Sequence, residues 1–264
     1  MSIRSWIHDR EIRGRTTFCT GDVVQAFNAK SAKYLNKELS RLVNGGRVQS
    51  VYRGFYVIVP VQYQLKGVVP PTYYIDNLMQ HVSKPYYVAL LSAATFHGAT
   101  HQRAMKTQVI TVAPRIRKSA KNLFLDWNYR QRIPENFLMR KKTECGTLLC
   151  SNPELTAIDL IQFSNHVGGL QRSATILDEL MDSVDIKKMT GLAPFTTVST
   201  LQRLGYILEF ILQRQDDADS LFEILKAIGR WNSIRLSQEQ TRRDDATSNR
   251  WHVNKNIDIE LDDL

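Results

Sequence analysis

The sequence predicts an α+β chain in two domains, and three observations carry the prediction. Helical periodicity recurs three times before residue 45 and then gives way to two β-rich runs around a glycine. Helical and strand-like runs mix from residue 74 to residue 150, after which the pattern is almost wholly helical as far as Ile228. Charge is unevenly spread over the 264 residues. Residues 1–60 hold ten Lys/Arg against four Asp/Glu, residues 61–142 thirteen against three, and residues 143–264 twelve against nineteen. The net charges of +6, +10 and −7 place the basic character in the first half and suggest a polyanion partner for it. The expected division is residues 1–65 and residues 66–264, the second comprising a basic α/β part (66–150) and an acidic, mostly helical part (151–264).

The elements follow in order. Ile3, Trp6, Ile7 and Ile12 recur at helical spacing and predict a first helix with one buried stripe. Thr20 is the expected N-cap of a second helix, with Asp22 in its first turn and Val23, Ala26 and Phe27 on one face. Ser31, another favourable N-cap, opens a third. There Leu35, Leu39 and Leu42 fall on one side, and Lys33, Asn36, Lys37, Ser40, Arg41 and Asn44 on the other. Asn44, Gly45 and Gly46 end it. Two β-rich runs, 47–51 and 55–59, are joined through Tyr52, Arg53 and Gly54, where the glycine supplies the positive φ a short hairpin needs. Three helices and a hairpin are the order of a winged helix-turn-helix. The predicted fold class is therefore an N-terminal winged helix-turn-helix followed by a larger mixed α/β domain with a mostly helical C-terminal part.

Residues 60–71 contain three prolines and a glycine and read as a linker or edge excursion. Helices are predicted near 74–82 and over 86–97, and strands at 108–113, 123–127, 137–142 and 147–150. Ser151 is the expected cap of a helix whose first turn holds Pro153 and Glu154. That helix is expected over 155–163, and others over 170–181, 186–192, 197–212 and 220–228. Residues 237–249 are polar and charged and read as a loop, and 250–253 with 257–260 read as a closing hairpin.

The third helix and the hairpin carry the chemistry. A recognition helix lies in the major groove with its first turns at the base edges. Lys30, Ser31, Lys33, Tyr34 and Lys37 occupy those positions. Lys33 or Lys37 is suited to guanine and Asn36 to adenine, Arg41 and Arg47 to phosphates, and Arg53 at the hairpin tip to a minor groove. The bland alternative is a solvated basic face on a small helical domain. Helix order, turn length, basic face and wing agree on DNA. A second basic surface is expected from Arg115, Arg117, Lys118 and Lys121, followed by Arg130, Arg132, Arg140, Lys141 and Lys142. It would extend the DNA footprint, or serve RNA or a protein toxin.

Other chemistries find little support. His97 and His101 are four apart, but Gly98 lies between them and no acidic third ligand is near, so His97 is expected to be a packed or capping histidine and no metal is expected. Gly45-Gly46 ends a helix, and Gly168-Gly169 sits between helices with no Lys-Ser or Lys-Thr after it, so neither is a phosphate loop. A nuclease would have only Asp126, Glu135 and Lys141 or Lys142 to use, and Pro134 precedes Glu135 where a strand should run. Three cysteines, Cys19, Cys145 and Cys150, argue against a disulfide framework. No run approaches the roughly 18 apolar residues of a membrane span. Met1 is followed by no signal-like segment, so a reducing cytoplasm and no membrane are expected.

Several segments resemble those of the AbiEi-type antitoxins of abortive-infection (type IV) toxin–antitoxin pairs. GRVQSVYRGFYVIVP is similar to that family's winged-helix end, and YYVALLSAATFHGATHQ, residues 86–102, to the helix with Ser92, Ala93, His97 and Gly98 that opens its second domain. NPELTAIDLI, LQRLGYILE and WHVNKNIDIE resemble later segments. The resemblance implies an autorepressor that binds inverted repeats of double-stranded DNA in its own promoter. Its second domain would counter a nucleotidyltransferase toxin, with or without a stable complex. It implies no cofactor and no catalytic residue, and direct binding of the toxin through residues 143–264 is the alternative.

Overall fold

The computed structural model describes residues 2–28, 30–65, 67–100, 104–113, 124–238 and 248–261. The chain forms two compact units: residues 1–87 with 105–131 and 140–149, and residues 88–104 with 132–139 and 150–264. It is a mixed α/β protein with several sheets.

The first unit begins with α1 (Ile3–Ile12), β1 (Thr17–Cys19), α2 (Thr20–Ala26), α3 (Ala32–Asn44), β2 (Val48–Tyr52) and β3 (Phe55–Ile58). The three strands form an antiparallel sheet in the order β1-β3-β2. Helices and sheet enclose their own apolar core of Ile3, Ile7, Phe18, Val23, Phe27, Leu35, Leu39, Leu42, Val48 and Ile58. Trp6 meets Phe18 edge-on at 5.5 Å and closes one side of it. Ile12, expected in the stripe of α1, is 71% exposed instead. β1 was absent from the sequence reading, and Cys19 rather than Thr20 caps α2: its N–H donates to Asp22 Oδ2 at 2.8 Å. A three-residue strand is too short to display alternation, so the cap signal at Thr20 dominates.

Residues 60–71 are not a free linker. They contain α4 (Val61–Gln64), and Val69 is fully buried with its N–H donating to Gln49 Oε1 on β2 at 3.0 Å. A 3-10 turn at Pro71–Tyr73 leads into α5 (Ile75–Val82). Strands β4 (Tyr86–Val88), β5 (Thr107–Thr111), β6 (Leu125–Tyr129), β7 (Leu138–Thr143) and β8 (Gly146–Ser151) make a five-stranded sheet in the order β6-β5-β4-β8-β7. β5 and β6 run parallel. The helix predicted over 86–97 is thus corrected. Tyr86–Val88 is a strand, Leu90 turns the chain at φ +56°, and the helix α6 spans only Leu90–Phe96. An unbroken apolar run fits a buried strand as well as a helix, and periodicity cannot separate the two.

The second unit is mostly helical: α6, α7 (Pro153–Gln162), α8 (Leu170–Leu180), a 3-10 segment at Ile186–Phe195, α9 (Val198–Phe210) and α10 (Gln215–Ile228). Asn152 caps α7, accepting from Leu155 N–H at 3.0 Å, one residue later than the expected Ser151. Every residue of α7 from Glu154 to Ile161 is buried, with α6, α8 and α9 packed around it. α9 is buried from Thr200 to Leu208, and the Trp251 ring packs against its Gly205. The closing hairpin does not form. β10 (Val253–Asn254) pairs in parallel with β9 (Ile234–Arg235), and Asn256 exchanges hydrogen bonds with Ser237 at 2.8 and 2.9 Å. The loop expected over 237–249 falls largely outside the described residues.

Candidate DNA-binding surface

α3 is held by its own sequence chemistry. Ser31 Oγ accepts from Tyr34 N–H at 3.3 Å, and Leu35, Leu39 and Leu42 are 2%, 2% and 6% exposed. That anchoring leaves Lys33, Tyr34, Asn36, Lys37, Ser40, Arg41 and Asn44 exposed. Lys30 and Ser31, just before the helix, are exposed as well, and the Lys30 ammonium sits 5.6 Å from the centre of the Tyr34 ring. Seven of the nine residues singled out for DNA contact are therefore gathered on one side of α3 and its approach. Arg41 shares its charge with Glu38, 2.5 Å away in an exposed pair, which contributes little to stability.

Arg53 is exposed at the tip of the hairpin between β2 and β3. Beside it, Gly54 adopts φ +72°, and its carbonyl accepts from Thr20 N–H at 2.8 Å. A Cβ at that position would also stand 3.3 Å from Thr20 Oγ1. Any other L-residue here costs about 1–2 kcal/mol for the left-handed backbone alone. The tip is thereby tied to the start of α2. From below, His81 of α5 packs against the Phe55 and Tyr52 rings, with centroids 5.3 and 6.4 Å apart.

Arg47 sits apart from the others. Its guanidinium pairs with Glu11 of α1 and donates through Nη1 to Val59 O at 3.3 Å. Only 22% of its side chain is exposed, so it works as an internal strut between α1 and the base of the hairpin. Arg10 is similarly occupied: it donates to Thr17 O at 3.0 Å, lies over the Trp6 ring at 4.8 Å and approaches Asp22 at 3.7 Å. Burial lowers its pKa more than the Asp22 carboxylate raises it.

The second basic surface stays undescribed in its main part, because Arg115, Arg117, Lys118 and Lys121 lie outside the described residues. Of the basic residues after them, Arg130 is buried, Arg132 donates to Pro194 O at 2.9 Å, and Arg140 and Lys142 are exposed on alternate positions of β7. Of the nuclease candidates, Asp126 lies on β6 and Glu135 in a 3-10 turn at Glu135–Phe137. His97 Nε2 lies 2.8 Å from Ser151 O. A carbonyl can only accept, so the ring nitrogen donates and His97 is a packing histidine; His101 lies outside the described residues. Among the described residues no group of three or more His, Cys, Asp or Glu is placed to hold a metal. No described helix is long and apolar enough to cross a membrane.

The stretch that begins at β4 and runs through α9, residues 87–210, matches the AbiEi antitoxin C-terminal domain. Over those residues the resemblance to the AbiEi-type antitoxins read from the sequence segments is borne out. Among solved structures the chain is similar to the crystal structure of the RV2827C protein from Mycobacterium tuberculosis, with a TM-score of 0.67 and 11% identity over 91% of this chain and 86% of that one. At that identity the likeness is one of fold. No curated protein matches the chain.

Proposed function

We propose that this chain is the antitoxin of a bacterial toxin–antitoxin pair and that it also represses its own operon by binding DNA. Residues 1–65 act as a winged helix-turn-helix domain, and residues 66–264 act as the antitoxin domain that counters a nucleotidyltransferase toxin in the cytoplasm. The observation that carries the DNA reading is the orientation of α3, whose leucines are buried while Lys33, Asn36 and Lys37 are exposed. A helix of that kind between a preceding helix and a two-stranded wing suits a major groove. Lys30, Ser31, Tyr34 and Arg41 flank the contact, and Arg53 reaches from the wing. Arg47 meets a phosphate only by giving up Glu11. The antitoxin domain at residues 87–210 supports the second half of the role. The role requires no cofactor and no catalytic step.

The test is binding of the full chain to a duplex carrying its own promoter, with Lys33 and Lys37 both changed to alanine. The double variant is expected to bind more weakly and with a shallower log–log slope of affinity against salt, by about 0.9 for each phosphate that loses a neutralising lysine. Unchanged affinity and an unchanged slope would remove α3 from the interface.

A further inference from the structure

The second unit contains a cleft that the DNA-binding reading leaves unused. It encloses about 510 Å³ between the first turns of α8 and α9 and the segments around Leu236 and Asp258. A cleft of that size falls within the range of small-molecule sites. Its wall includes Arg203, which is only 9% exposed.

Arg203 is a buried cation with no counter-charge paired to it among the described residues. Its Nε donates to the carbonyls of Arg235 and Leu236 at 3.1 and 2.9 Å, and its Nη2 donates to Arg235 O at 3.0 Å. These bonds fix the fork in place, yet they are bonds to neutral acceptors. Among the described residues Nη1 makes no hydrogen bond, and it is not sealed inside the protein. Among the described residues no carboxylate forms an ion pair with Arg203. Burial alone displaces its pKa, downward, with no acid opposing it. Arginine nevertheless stays charged. A guanidinium withdrawn from water without an anion carries an uncompensated desolvation cost, and the free Nη1 edge beside the cleft is where an anion would remove that cost.

The rest of the cleft agrees in sign. Gly169, Leu170 and Gln171 line it as the start of α8, a helix of eleven residues that no side chain caps. Its first amides and the positive end of its dipole therefore remain available. Gly168, which also lines the cleft, has the Arg172 side chain folded over it, with Nη1 3.9 Å from where a Cβ would stand. Ser199 adds a hydroxyl from α9. Asp258 is the contrary charge, and it is held by Lys255 Nζ at 2.7 Å.

We propose that this cleft binds a small organic phosphate, with the phosphate between Arg203 Nη1 and the first turn of α8 and the organic part filling the remaining volume. An arginine edge together with helix-terminal amides is the donor set that phosphate oxygens favour.

The experiment is titration calorimetry on the full chain with four probes: AMP, glucose 6-phosphate, inorganic phosphate and adenosine. The expected result is saturable binding of at least one of the two organic phosphates with Kd of about 1 mM or tighter, weaker binding of inorganic phosphate, and none of adenosine. Arg203→Gln is expected to lose binding at least tenfold, but it also breaks the bonds to residues 235 and 236 and can fail to fold. Ser199→Glu avoids that difficulty, because an acid in the first turn of α9 favours the helix while placing a carboxylate in the cleft. It should lose organic-phosphate binding at least tenfold with an unaltered circular dichroism spectrum, and the neutral Ser199→Gln should lose less than Ser199→Glu. Absence of saturable binding by both organic phosphates, equal binding of adenosine and AMP, or Ser199→Glu binding as well as the native chain would each overturn the proposal. Inorganic phosphate binding as tightly as either ester would overturn the organic half of it.

Discussion

Changing Trp251 to alanine is expected to lower the unfolding free energy by about 3–5 kcal/mol, the range for deleting a large buried aromatic. Trp251 has no exposed surface. Its ring lies so close to α9 that a Cβ built on Gly205 would stand 2.1 Å from the indole. Its Nε1 donates to Glu209 Oε2 at 2.6 Å, its carbonyl accepts from Gln202 Nε2 at 2.7 Å, and Phe222 meets it edge-on at 5.3 Å. The alanine variant would therefore leave a cavity and take the indole N–H from the Glu209 carboxylate, which keeps Arg250 Nε at 2.6 Å, while the backbone carbonyl that Gln202 meets is retained. Gly205→Ala tests the same contact from the opposite side. Alanine is better than glycine in a helix by about 1 kcal/mol, whereas forcing a methyl against a packed ring costs about 1–3 kcal/mol. The clash should win, and the substitution should destabilise despite its favourable propensity. Urea denaturation of both variants measures this, and a stabilised Gly205→Ala would show that the indole is not seated as described.

Leu39→Ala is the second large change, expected to cost about 2–5 kcal/mol within the N-terminal core. Leu39 is 2% exposed and sits at the centre of the buried side of α3, between Leu35 and Leu42. Its value lies in the contrast with the lysine variants. If α3 is the DNA-contacting helix, Leu39→Ala should weaken binding only in proportion to the fraction unfolded and leave the salt slope of the folded fraction unchanged. Lys33→Ala with Lys37→Ala should instead reduce the slope and leave stability within about 0.5 kcal/mol, as is usual for surface sites. Affinities measured over a range of salt and temperature separate the two patterns. A shallower salt slope in Leu39→Ala would mean that the exposed face and the buried face are not independent.

The parts of the fold legible in the sequence are those written in local chemistry. α3 could be placed because Ser31 caps it and its leucines recur at helical spacing, and the hairpin because Gly54 supplies the positive φ. Three-residue β1 carried too little pattern to be seen, and the Tyr86–Val88 strand was hidden in an apolar run that continues into α6. The start of α10 was placed five residues late although Asp216 and Asp217 stand in its first turn. Pairings distant in sequence were not legible at all. Arg47 looked like a phosphate contact because its partner Glu11 lies 36 residues away. Local pattern alone puts Val253 in a hairpin, because its partner in the fold, Ile234, precedes it by a long stretch. Arg203 drew no attention, since a single arginine among Leu201, Gln202 and Leu204 reveals nothing of the carbonyls 32 and 33 residues on that hold it.

The enclosure of α7 sets how this molecule breathes. With Glu154 through Ile161 all covered, the helix has no wet flank from which to fray. Its amide protons can reach solvent deuterium only by the concerted opening of the helices around it. Exchange at those amides is therefore a clock for the whole second unit.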